Sequence, residues 1–143
     1  MILLDHNIPA HQVEILRRAR LRPRQIGRDV GRPEWQDLEE ILRYLHRLKL
    51  ATFVTRDEGF FRRRLCHNYY CIVVVSGPVV ETAVYIRRFL RHPTFRAKQR
   101  RTGKVVRLSS TKIVWWEIGR GSQQRLSWEF HPRERKKRLK ADR

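Results

Sequence analysis

Cys71-Ile72-Val73-Val74-Val75 is an unbroken apolar run, β-branched from its second residue onward. Side chains alternate faces along a strand, so a strand with no polar position must be covered on both sides. That is the environment of an inner strand in a parallel α/β sheet, and the segments around this run fit one. Ile2-Leu3-Leu4 and Ala51-Thr52-Phe53-Val54-Thr55 read as further strands, and Arg24-Gln25-Ile26 as a weak one. Between them lie helical patterns. One begins near Pro9 and runs to about Arg20 with Val13, Ile15, Leu16 and Ala19; the clearest starts at Pro33 and carries Leu38, Ile41, Leu42, Leu45 and Leu48 on one face. Phe60 to Leu65 suggests a short helix, and Val79 to Leu90 a longer one that ends near His92-Pro93.

Strands alternating with helices on short connections predict an α/β layer with a mostly parallel sheet and right-handed crossovers over residues 1–92. The remainder reads differently. Lys104–Leu108, a Ser109-Ser110-Thr111 turn and Ile113–Ile118 form a β-hairpin pattern, to which Leu126 to Phe130 adds a third strand. Residues 93–130 are thus expected to be a basic segment and hairpin extension packed on the first unit. Residues 131–143, mostly Lys and Arg with no apolar period, are expected to be a disordered tail. No apolar stretch approaches the ~18–20 residues of a membrane span. Met1 to Leu4 meets Asp5 without the pattern of a secretory signal, and Cys66 and Cys71 are too few for a disulfide framework. The expected location is the cytoplasm, with no membrane partner.

Charge divides the chain. The net charge is +19, and residues 1–60 hold 11 Lys+Arg against 9 Asp+Glu whereas residues 61–143 hold 22 against 5. Arginine dominates the cations, and its planar fork suits phosphate and base stacking. Nucleic acid is therefore the expected polyanion, gripped by Arg56 and by the cluster Arg87, Arg88, Arg91, Arg96, Lys98, Arg100, Arg101 and Lys104. A solvated helix face is the plainer reading of that cluster. Trp115 and Trp116 are adjacent in a strand and must face opposite sides, so one of them needs a partner outside the core, either RNA, another subunit or the last strand.

The better balanced half places acids at strand ends. Asp5 follows the first strand and Asp57 lies two residues after Thr55 of another, at the edge where open α/β sheets bind ligands. Glu34, Asp37, Glu39 and Glu40 sit at the start of the intervening helix, and Asp37 flanks its apolar stripe. Carboxylates gathered there would suit Mg²⁺ or Mn²⁺ and phosphodiester hydrolysis. The competing reading is that Asp5 and Asp57 cap the turns that follow them. Cys66, His67 and Cys71 lack the pattern of a zinc site and read as core thiols and a neighbour.

Met1-Ile-Leu-Leu-Asp5-His6-Asn7-Ile8-Pro9, Arg28-Asp29-Val30-Gly31, Asp37 to Ile41 and Val54-Thr55-Arg56-Asp57-Glu58-Gly59-Phe60 occur in an order that resembles the PIN-like group associated with VapC-type toxins. The resemblance covers about residues 1–92. It implies a three-layer α/β/α fold with a central parallel sheet, the hairpin being an addition. It also implies a metal-dependent endoribonuclease, with Asp5, Asp37 and Asp57 as catalytic residues and Glu40 as a further ligand of Mg²⁺ or Mn²⁺. Glu39 or Glu40 could replace Asp37 as the helix acid. RNA would be the substrate, and an antitoxin protein or a second copy of the chain a partner. Two positions depart from the pattern: His6 stands where an acid usually follows Asp5, and Gly59 where a second acid closes the last motif. Both lower the negative charge offered to a cation, which keeps a non-catalytic nucleic-acid-binding or partner-binding relative as the alternative.

Overall fold

The computed structural model describes residues 1–33, 35 and 38–128. Along the chain come β1 (Ile2–Leu4), α1 (Ala10–Arg18), β2 (Arg24–Gln25), α2 (Leu38–Arg47), β3 (Ala51–Thr55), β4 (Tyr70–Val75), α3 (Thr82–Arg91), α4 (Lys98–Arg101), β5 (Lys104–Leu108), β6 (Lys112–Glu117) and β7 (Gln124–Ser127). The short helix expected over Phe60 to Leu65 is two 3₁₀ turns, Glu58–Phe60 and Arg63–Leu65, and a third at Val79–Glu81 leads into α3. The described part of the helix expected from Pro33 begins only at Leu38.

The strands form one seven-stranded sheet in the order β2-β1-β3-β4-β5-β6-β7. The first five in that order are parallel, while β6 and β7 return antiparallel. Two registered rows cross its centre. Leu4, Val54, Val73 and Val106 face the side on which α1 and α3 pack; Leu3, Phe53, Ile72 and Val105 face α2 and the 3₁₀ turns. Helices on both faces of a central sheet make three layers, and β4, wholly buried, is the inner strand its sequence predicts.

Two expectations change. The hairpin is not added to a finished unit: β5 pairs in parallel with β4, so the sheet runs without a break from the first part of the chain into β6 and β7. Nor do the crossovers share one hand. The β1–β2 and β4–β5 connections both pass over the face covered by α1 and α3, yet they step in opposite directions along the sheet. The β4–β5 connection therefore has the hand opposite to the other three. This places α3 against α1, where Tyr85, Ile86 and Phe89 complete the core over β1, β3 and β4.

Helix α1 ends on a tight backbone closure. Leu21 N–H reaches Leu16 C=O at 3.2 Å and Arg20 N–H reaches Arg17 C=O at 3.0 Å, with Arg20 in the left-handed region at φ 62°. Glycine usually fills that position. The third strand expected over Leu126 to Phe130 is β7, Gln124–Ser127, which ends before Trp128; Glu129, Phe130 and the tail lie outside the described residues. Among the described residues no helix is long and apolar enough to cross a membrane.

Candidate functional site

Strand order reverses between β1 and β3: from β1 the chain steps to β2 on one side, then crosses over to β3 on the other. The carboxyl ends of these two strands flank the position where ligands bind in open α/β sheets. Asp5 stands at the end of β1, its N–H bonded to Val54 C=O at 2.8 Å, and Thr55 closes β3.

The Asp5 carboxylate is buried, at 2% exposure. Burying a charge is costly unless hydrogen bonds replace its hydration, and here they do. Oδ2 accepts from Thr55 Oγ1 at 2.6 Å and Oδ1 accepts from His6 N at 2.8 Å, while His6 Nδ1 stands 2.8 Å from Oδ1. Thr55 Oγ1 in turn accepts from Asn7 Nδ2 at 3.2 Å and from Asp57 N at 3.0 Å. Its one donor and both acceptor sites are thus used. Asn7 Oδ1 accepts from Arg56 N at 3.2 Å, which ties the two strand ends together a second time. Gln25, at the end of β2, braces the turn below by donating Nε2 to Asp5 C=O and Ile8 C=O at 3.1 and 2.9 Å. Sequence reasoning left Gln25 out because nothing local distinguishes it from a strand-edge glutamine.

The two strand-end acids do different work. Asp57 is exposed and its Oδ1 accepts from Gly59 N at 2.9 Å, so it caps the Glu58–Phe60 turn as the plainer reading held. Asp5 caps no helix: Pro9, in extended conformation, is the residue before α1. A side chain at position 59 would crowd Asp57, since a Cβ built on Gly59 lies 3.1 Å from Asp57 Oδ1.

Asp37 lies outside the described residues. Glu40 is on α2, with Oε2 shielded from solvent and without a hydrogen-bond partner. Among the described residues no three His, Cys, Asp or Glu side chains are grouped so as to hold a metal ion. The placed residues therefore do not by themselves fit the divalent cation that the family resemblance implies.

The expected cations divide three ways. Arg101 is buried, at 4% exposure, and donates Nε to Thr52 Oγ1 at 2.7 Å and Nη1 to Phe95 and Arg96 C=O at 3.1 and 3.0 Å. The expectation that it meets a phosphate is set aside, because its donors serve the core; burial also lowers its pKa. Arg56 is a strap across the rim, with Nη2 on Gly77 C=O at 2.6 Å and Nη1 on Thr82 Oγ1 at 3.0 Å, and Lys104 donates to Arg100 C=O. Arg91, Arg96, Lys98 and Arg100 are exposed, whereas Arg87 and Arg88 are half-buried and Arg88 lies 5.0 Å from the Trp128 ring centre. Charge density alone, without partners, could not separate these roles. A shallow depression at the β2 edge, lined by Arg17, Arg22, Arg24, Arg28 and Asp29, adds cations that the charge balance of residues 1–60 had hidden.

Of the two thiols, Cys71 is buried, which pushes it up to about 12, and Cys66 is half-buried, which raises it. No protein-family model, no curated protein and no solved structure matches the chain.

Proposed function

We propose that this chain is a PIN-like ribonuclease whose catalytic centre is the Asp5–His6 pair at the β1/β3 switch point. One observation carries the reading: a carboxylate buried where the sheet reverses order, capping no helix and held by Thr55 and His6. A structural role does not require an acid there, since a neutral side chain would avoid the cost of burying charge.

The chemistry follows from the geometry. With His6 Nδ1 turned to Asp5 Oδ1 at 2.8 Å, Nε2 is left to accept a proton, and the imidazole is 39% exposed. In this reading a water oxygen bonds to phosphorus as its proton passes to His6 Nε2, and the leaving oxygen departs with a proton from solvent. Asp5 orients the imidazole. The Mg²⁺ or Mn²⁺ that the family resemblance implies enters no step of this reading, because among the described residues no three acids are grouped to hold it. The toxin role, with an antitoxin protein as partner, belongs to the same proposal.

The test is cleavage of a labelled RNA by the wild-type chain and by Asp5→Asn, with and without a chelator. The reading expects cleavage by the first and at least about 100-fold less by the second, and a cation requirement appears as loss in chelator. A second reading, a nucleic-acid-binding relative without catalysis, is favoured by the absence of a metal-holding group among the described residues. It expects RNA binding without cleavage in every arm.

A further inference from the structure

Trp115 and Trp116 occupy successive positions of β6 and face opposite sides of the sheet. Trp115 points to the α1/α3 side and meets Phe95 edge to face, at 5.1 Å between ring centres and 86° between planes. Trp116 is paired with Val105 on the other side, and Val105 is the outermost strand residue in the core that α2 and the 3₁₀ turns bury. Beyond it, the same face of β6 carries Lys112 and Val114, with the exposed Ile118 just past its end. Trp116 itself is half-buried.

Register puts arginines around this strip. Arg107 on β5, Val114 on β6 and Arg125 on β7 lie in one row, and both arginines are exposed. With strands about 4.8 Å apart, the two arginine backbones stand roughly 10 Å from each other. The Arg107 guanidinium is set 5.9 Å from the Phe61 ring centre and is steadied by Glu58 at 3.4 Å. Arg63 Nη2 reaches toward Gly121 in the turn beyond β6.

We propose that this outer face of β5–β6–β7 binds a single-stranded RNA segment, with Trp116 stacking on an unpaired base and Arg107, Arg125 and Lys112 facing the phosphates. Its occupant is chosen by charge. The face belongs to the part of the chain that carries 22 Lys+Arg against 5 Asp+Glu, so a polyanion complements it and another copy of the chain does not. The strand must be single because a base offers its face to a ring only when unstacked from its neighbours. The proposal deepens the ribonuclease reading by naming the form of its substrate, and it is testable apart from catalysis.

The experiment is fluorescence anisotropy of a labelled short single-stranded RNA and of its duplex, in the Asp5→Asn background so that cleavage does not consume the probe. Trp116→Leu, Trp116→Phe and Arg125→Gln are compared, with circular dichroism and light scattering on each. Trp116→Leu is expected to weaken single-strand binding at least about fivefold, in keeping with the measured range for base–aromatic stacking. Trp116→Phe should retain most of the affinity and the duplex should change less. Equal affinity in folded Trp116→Leu and Arg125→Gln overturns the proposal. So does a wild-type dimer that Trp116→Leu converts to monomer, since the face would then join two copies. Loss of affinity in Trp116→Leu with no cleavage by the wild-type chain would keep this face and refute the nuclease reading alone.

Discussion

Thr55 Oγ1 donates to Asp5 Oδ2 at 2.6 Å, a bond between the last residue of one strand and the residue just past the end of its neighbour. It closes the switch point and sets the direction of the buried carboxylate. Everything claimed for the site depends on that bond.

Thr55→Val keeps the shape and removes the hydroxyl. A buried acceptor left one bond short costs about 1–3 kcal/mol, and Asn7 Nδ2 and Asp57 N lose their acceptor as well. The variant is expected to unfold at lower denaturant concentration and to cleave RNA poorly. Thr55→Ser should restore both, as followed by chemical denaturation and RNA cleavage.

Arg101→Met tests the reassignment of a basic residue to the core. Removing the guanidinium leaves Thr52 Oγ1 and the carbonyls of Phe95 and Arg96 without their donor, an expected loss of about 1–3 kcal/mol or more. Arg101→Lys should recover only part, because an ammonium cannot reproduce the fork. At temperatures where the variant is folded, RNA affinity should be unchanged; a stable Arg101→Met with reduced affinity would return the residue to the RNA surface.

How far the sequence was legible depended on whether the cause was local. The run Cys71–Val75 announced a strand covered on both faces because its own residues carry that information, and Asp5 stood out because it ends an apolar run. The choice among Asp37, Glu39 and Glu40 as the site's third acid is open in the sequence, and Asp37 lies outside the described residues. Arg101 was misread because its partners, two carbonyls and a threonine hydroxyl, are brought to it only by the tertiary fold. The hairpin pattern of Lys104–Ile118 was read correctly as a local unit. That its first strand, β5, is the fifth parallel strand depends on β4, which is distant in sequence, and the reversed crossover depends on where α3 finds an uncovered face beside α1.

Arg20→Gly should stabilise the chain. Arg20 adopts φ 62° at the end of α1, a conformation that costs a side-chain-bearing residue about 1 kcal/mol and glycine little. A midpoint shift to higher denaturant is expected; an unchanged or lower midpoint would contradict the assigned helix ending.

Stability should fall at both pH extremes for identifiable reasons. His67 and His92 each accept a backbone N–H on Nδ1 at 3.1 Å, from Tyr69 and Thr94, and burial lowers both pKa values below 6.5. The unfolded chain then binds more protons below pH 6.5, so this stability is present above that pH and is lost as pH falls through the folded values. At the alkaline end Cys71 stays protonated to about 12 against 9.0 when unfolded. The unfolded chain there binds fewer protons, and stability falls as pH rises from 9 toward 12. Denaturation midpoints of His92→Gln and Cys71→Ala across pH should show a weaker acid and a weaker alkaline decline respectively.

The most direct test of the account is a single-turnover assay of RNA cleavage with wild type and Asp5→Asn, with RNA affinity measured on the same preparations. The account expects Asp5→Asn to lose cleavage by about 100-fold or more, within the usual contribution of general acid–base catalysis, while holding RNA as the wild type does. Cleavage by folded Asp5→Asn at the wild-type rate would contradict it.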